Sequence, residues 1–205
     1  MGYRRLGYGR QRHRLSFMQI LAAPFLSAVA GSYESIATTT VGVAGQTTIT
    51  FSSIPATYSH LQVRYIARNS GTGDNFIAMK WIFNSDATAV YSNHYLYGNG
   101  SATGSGATTS ASSAGGDGLL GMIKDNAAGY TSMYAAGVLD ILDYANTNKY
   151  KTCRLLWGED LNGSGRVALQ SANWQKTAAI TQIDFSCATG NFMQYSQFAL
   201  YGIKG

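Results

Sequence analysis

Three histidines, ten carboxylates and two cysteines are the side chains of this 205-residue sequence that could serve acid–base, metal or nucleophilic chemistry. A zinc hydrolase needs two histidines, or a histidine and a glutamate, at fixed spacing on one face of an element. His13, His60 and His94 show no His-x-x-x-His or His-x-Glu pattern. His13 sits among arginines, solvated or facing an acidic partner. His60 and His94 open predicted strands and read as structural. No Gly-x-Ser-x-Gly elbow and no phosphate-cradling Walker loop is present. Glycoside hydrolysis requires two carboxyl groups ~5–10 Å apart across a cleft. The nearest approximations are Glu159 with Asp160, and Asp140 with Asp143. Strand neighbours point to opposite faces, so these acids read as turn and surface residues. Residues 159–165 (EDLNGSG) have the outline of a calcium loop but lack its closing bidentate acid. An Asx-type turn is expected there. The sequence thus nominates no catalytic and no metal-ligating residue, and implies no cofactor. Cys153 and Cys187 lie on predicted strands and read as free buried thiols, with a cross-sheet disulfide as the alternative.

Aromatic rings are the other candidates for binding. Trp81 and Trp157 stand in strands with apolar neighbours, where core packing is the default. Tyr91, Tyr95 and Tyr97 precede an unusual stretch, and Tyr130 follows it; these four are the candidates for an exposed binding tip. The stretch is 98–118 (GNGSATGSGATTSASSAGGDG), in which all but Asn99 and Asp117 are Gly, Ala, Ser or Thr. Such a segment builds no core of its own. It reads as a long surface loop, mobile or draped over a neighbouring subunit.

The elements that must position these groups are strands. In 60–68 (HLQVRYIAR), Leu61, Val63, Tyr65 and Ala67 face one way, and His60, Gln62, Arg64, Ile66 and Arg68 the other. In 77–83, Ile77, Met79, Trp81 and Phe83 share a face; in 47–51, Thr47, Ile49 and Phe51 do. Further windows are 93–97, 119–124, 132–142, 149–157, 166–171, 179–187 and 195–203. Turn residues separate them at Asn69–Gly73, Asn84–Ala87, Asp125–Gly129, Asn146–Asn148, Asn162–Gly165 and Ala188–Asn191. This pattern predicts an all-β, two-sheet antiparallel sandwich, jelly-roll-like, over residues 33–205, with a closed barrel as the alternative. Composition agrees: 24 Gly, 14 Tyr and only 12% charged residues argue against a helical bundle, and 45% hydrophobic residues against a disordered chain.

Charge is unevenly placed. Arg4, Arg5, Arg10, Arg12 and Arg14 supply the whole net charge of +5, and no acid precedes Glu34. The rest of the chain is formally neutral and lightly charged, a composition that does little to oppose association. Residues 17–29 (FMQILAAPFLSAV) follow the basic run, in the outline of a secretory leader. The apolar run is thirteen residues with Pro24 inside it, short of the ~20 that span a bilayer. Residues 1–32 are therefore read as an anchoring arm, not as a leader or a membrane span. A basic tail is ordered only when tied down, and the expected tie is another protein chain. Its arginines would pair with an acidic surface. Phe17, Ile20, Leu21, Phe25 and Leu26 would enter a groove, contributing roughly 8–15 kcal/mol gross before ordering costs. Binding of nucleic acid by the arginines with Tyr3 and Tyr8 is possible but not favoured, since five charges neutralise little of a genome.

The segments ITFSSIPATYSHLQVRYIAR (49–68), NHYLYGNGS (93–101), ILDYANTNKYKT (141–152), WQKTAAITQIDF (174–185) and FALYGIKG (198–205) resemble a group of small virion proteins of tailed, cyanophage-type bacteriophages. The likeness spans nearly all of 33–205 and not the arm. It implies a virion β-sandwich, labelled variously as capsid decoration or cement protein, tail fibre or minor structural protein, and brings no catalytic residues. The resulting expectation is a virion structural protein, assembled in the host cytoplasm. Its body would form a homo-oligomer, a trimer, and its arm would bind the major capsid protein or another virion protein. A tail-fibre module binding glycan receptors and a small coat protein with a genome-binding arm are the alternatives.

Overall fold

The computed structural model describes Gly2 and residues 32–71, 76–113, 123–124, 130 and 132–205. The chain divides into two compact units, Met1–Ala30 and Gly31–Gly205. The arm residues singled out above, Arg4, Arg5, Arg10, Arg12, Arg14, Phe17, Ile20, Leu21, Phe25 and Leu26, lie outside the described residues, as do His13 and the turn at 125–129.

The second unit is all-β. Its strands are β1 (Tyr33–Thr40), β2 (Thr48–Phe51), β3 (His60–Ala67), β4 (Phe76–Ile77), β5 (Met79–Phe83), β6 (Tyr91–Gly98), β7 (Thr103–Ala111), β8 (Ile123–Lys124), β9 (Ala135–Leu142), β10 (Lys151–Asp160), β11 (Gly165–Trp174), β12 (Ile183–Cys187) and β13 (Gln197–Ile203). Eight form one antiparallel sheet in the order β1-β13-β3-β9-β10-β11-β6-β7; β2-β12-β5 form a second, and β4 and β8 pair separately. The large sheet ends in β1 and β7 and does not close into a barrel through the described pairings. Among the described residues no helix is long and apolar enough to cross a membrane.

Alternation places the core as expected. Leu61, Val63, Tyr65 and Ala67 of β3 are buried, as are Met79, Trp81 and Phe83 of β5 and Cys153, Leu155 and Trp157 of β10. The small sheet covers the inner face of the large one through aromatic contacts. Phe198 on β13 meets Phe185 of β12 at 5.3 Å, stacks on Tyr65 at 5.6 Å and takes the edge of Phe192 at 5.0 Å. Phe83 of β5 meets Trp174 of β11 at 5.7 Å. Such pairs add about 0.5–1.5 kcal/mol each beyond their burial.

One expectation is corrected here. The stretch 98–118 is not one loop, because nine of its residues form β7, paired along β6. Its small side chains are what permit the pairing. A Cβ on Gly106 would lie 2.3 Å from the Tyr95 hydroxyl, and one on Gly104 2.6 Å from the Tyr97 ring. Each tyrosine lies across the glycine opposite it in register. Residues 33–40, which fall in none of the windows singled out from the sequence, form the edge strand β1 on β13.

Connections are held by side chains aimed at backbone groups. Asn84, at φ 51°, donates to the Ala179 carbonyl (2.8 Å) and accepts from the N–H groups of Thr181 (2.8 Å) and Gln182 (3.1 Å). Lys151 is fully buried, and its ammonium donates to the carbonyls of Lys149 (3.0 Å), Thr177 (3.0 Å) and Asn146. Burial, followed by the neighbouring Lys149 charge, pushes its pKa below the usual lysine value. Asp86 accepts from the Trp174 indole (3.0 Å), the Thr88 N–H (3.1 Å) and the Thr88 hydroxyl. The Thr88 hydroxyl, with help from Trp174, holds the Asp86 carboxyl below the ordinary range.

Replacing Lys151 with methionine strands three carbonyls and lowers stability by about 2–4 kcal/mol, measured by urea unfolding. Asp86→Ala costs about 1–2 kcal/mol at pH 7 by removing the acceptor of a buried indole N–H. A carboxyl whose folded pKa is depressed stabilises above its unfolded value, and that stability is lost as pH falls through the folded value. The gap between parent and Asp86→Ala therefore closes as unfolding is repeated from about pH 5 down to about pH 2.

Candidate functional site

At one end of the large sheet the β6–β7 and β10–β11 turns frame an open depression of about 610 Å³, lined by Gly98–Gly100, Tyr134, Gly158–Asp160 and Gly163–Val167. Both turns are built the same way. Asn99 Oδ1 accepts the N–H groups of Ser101 (3.0 Å) and Ala102 (2.8 Å). Asp160 Oδ1 accepts that of Asn162 (2.8 Å), while Leu161 N–H closes the turn on the Ser164 carbonyl at 2.8 Å. This is the Asx turn expected for EDLNGSG. Gly165 at its exit has φ 140°, and a Cβ there would meet the Glu159 carbonyl at 2.4 Å. Only glycine returns the chain so tightly.

Glu159 faces inward and is buried, directly opposite Arg166 in the β10–β11 register. The Arg166 guanidinium lies over the Tyr97 ring, 4.5 Å from its centroid. Tyr134 forms part of the wall and donates its hydroxyl to the Gln194 carbonyl at 2.9 Å. The depression thus offers two carboxyl groups, one cation and turn backbone. Glu159 and Asp160 do not form a pair across it, because they belong to opposite faces of β10 and Asp160 already accepts a backbone N–H. Among the described residues no group of three or more His, Cys, Asp or Glu side chains could hold a metal ion.

The four tyrosines do not converge. Tyr91 is fully buried; its hydroxyl accepts the Phe83 N–H (3.0 Å) and donates to the Asp86 carbonyl (2.9 Å). It is a core residue, and its place on an exposed tip is withdrawn. Burial also drives its pKa upward. Tyr95 and Tyr97 are half-buried across their glycines, and Tyr130 is half-buried and partnered. His60 accepts the Asp143 N–H at 3.0 Å and serves the β9–β10 connection, while His94 is exposed on β6. Cys153 and Cys187 are unpaired, and burial pushes both thiols up to about 12.

Sequence reasoning missed a buried polar group on the inner face of β6, β10 and β11. The Gln170 amide, Asn93 Oδ1 and the Trp157 indole N–H have no protein partner there. Groups of this kind are ordinarily met by ordered water. Their only sequence signal is a polar residue at an inward position of an otherwise apolar strand face.

The chain matches no family model, no curated protein and no solved structure.

The tyrosine–glycine pairing gives a prediction of unusual sign. Valine in place of glycine on an exposed edge strand ordinarily stabilises by up to about 1 kcal/mol. Gly104→Val and Gly106→Val should instead each destabilise by about 1 kcal/mol or more, because the added carbons occupy the seats of Tyr97 and Tyr95. Thermal unfolding of the two variants checks this.

Proposed function

We propose that the protein is a structural component of a tailed-phage particle, of the capsid decoration or cement type. In this reading the β-sandwich sits on the shell and residues 1–32 moor it, the arginines on acidic shell surface and the apolar run in a groove. The chain catalyses nothing, uses no cofactor, and works on the virion as a homo-oligomer bound to the major capsid protein or another virion protein. The observation that carries the reading is the partition of charge. All of the excess, five arginines, lies in the first fourteen residues, ahead of a body with as many acids as bases. A neutral sandwich with a basic leader suits a subunit that packs among neighbours and is held at one end.

The glycan-binding reading draws less support. Sugar recognition by stacking needs an open ring face, whereas Tyr97 lies between Arg166 and Gly104, and Tyr95 lies across Gly106. Genome binding rests on five charges alone.

Removing residues 1–16 should reduce occupancy on reconstituted particles at least tenfold, read by gel densitometry of purified particles. Occupancy equal to that of the full chain overturns the mooring role. Binding of the 1–16 peptide to DNA that weakens steeply with salt would favour the genome-binding alternative.

A further inference from the structure

The outward face of the large sheet is apolar where solvent should favour polar residues. Leu156 stands opposite Leu169, and Leu169 opposite Leu96, in an unbroken row across β10, β11 and β6. Val138 on β9 extends the row, facing Leu156. One pleat along, Ile66 and Val167 lie in a second row that runs through Ala136 and Gly158. Ile66, Leu96, Leu156, Val167 and Leu169 are between 44% and 57% exposed. Single exposed apolar residues are ordinary; a contiguous patch on a sheet face marks an interface.

We infer that this face is the surface by which two copies of the chain pair, face to face. The reading is independent of the arm and of the particle role proposed above. Three observations select a second copy as the occupant. First, the border of the patch carries both signs. Asp140 accepts from Gln62 (2.8 Å) and from Arg154 (3.3 Å), so a two-fold mate can offer each charge its opposite. A body with equal numbers of acids and bases adds no repulsion. Arg154, Asp140 and Arg64, which stands opposite Val138 at the end of the row, do not make the basic field that nucleic acid or an anionic membrane requires. Second, the same face holds an exposed leucine and a hollow. Leu156 is 54% exposed and stands in register beside Leu169. Beside them is a depression of about 330 Å³ lined by His94, Leu96, Ser105, Arg154, Leu169 and Ser171. Ser105 of β7 forms one wall of this hollow, and Leu156 of a second copy fills it. Third, the area of the face reaches the lower end of what a specific interface buries. Five strands from β3 to β6, about 4.8 Å apart and eight residues long, cover about 600 Å² before side-chain relief is counted. A standard interface takes about 800 Å² a side. Pairing by identical faces yields multiples of two, so the expected trimer gives way to a dimer of bodies.

Sedimentation equilibrium of the full chain at about 20 µM tests this. The inference expects the mass of two chains, and the mass of one chain for Leu156→Asp/Leu169→Asp with an unchanged strand circular-dichroism signal. Leu96→Lys, at the margin of the patch, keeps the test open should the double variant fail to fold; it is expected to weaken pairing at least tenfold. Tyr195→Asp, exposed but off the patch, should leave the mass unchanged. A monomeric or trimeric parent overturns the inference, and so does pairing that survives the patch substitutions. The chain lacking residues 1–16 should still pair, so a failure of the mooring role and a failure of this interface appear in different variants.

Discussion

The physical constraint beneath the whole structure is that an eight-stranded sheet must have its inner face sealed by a cover of three strands. Large aromatic side chains meet that demand. Phe198 reaches from the broad sheet to Phe185 of the cover, and Phe83 reaches back to Trp174. Both contacts sit at inward positions of alternating strands, so a register slip of one residue would turn them to solvent. Where strands crowd, tyrosine and glycine share the space. Tyr65 lies over Gly137 in the neighbouring strand, and Tyr95 and Tyr97 over Gly106 and Gly104. The aromatic ring supplies the apolar area that glycine lacks, and glycine supplies the clearance that the ring needs.

The polar groups inside the body follow from the same constraint. The connections between strands leave backbone carbonyls without ladder partners, and donors reach them from the body. Lys151 answers for three of them with one ammonium and no carboxylate partner. Asn84 does the corresponding work for the segment before β12. The buried lysine is therefore a brace for a loop, and burial, followed by the Lys149 charge, lowers its pKa.

Much of the sandwich was legible because alternation in β3 and β5 is strong. β7 was not, since Gly, Ser, Thr and Ala show neither apolar periodicity nor β-branched bulk; its cause lies across the sheet, in the rings of β6. Tyr91 was misplaced because parity fixes a face and not a depth. Tyr91, Tyr95 and Tyr97 share one face, yet only Tyr91 lies beneath Phe83 and against the cover. The outward patch was hidden for a related reason. Leu156 sits in the run LLW, which reads as a strand apolar on both sides and says nothing of what covers the second. The turn at 159–165 was legible in full, because its Asx chemistry is local. The arginine and apolar positions of the arm were read from type and order alone.

Among the described residues β1 pairs in the sheet with β13, through seven register pairs interrupted by a bulge between Ser35 and Ala37, and Tyr33 and Glu34 accept further hydrogen bonds from Gln62 and Tyr58. Glu34 and Lys204 add an ion pair at its first turn of pleat. A seam of this kind has a mechanical grain. Tension entering at Tyr33 along the strand loads its hydrogen bonds together, in shear, whereas a sideways pull opens them one after another like a zip. The strength of the join is thus set by the direction of the tug, and a tether leaving the strand in line with its axis is the geometry in which this edge holds longest.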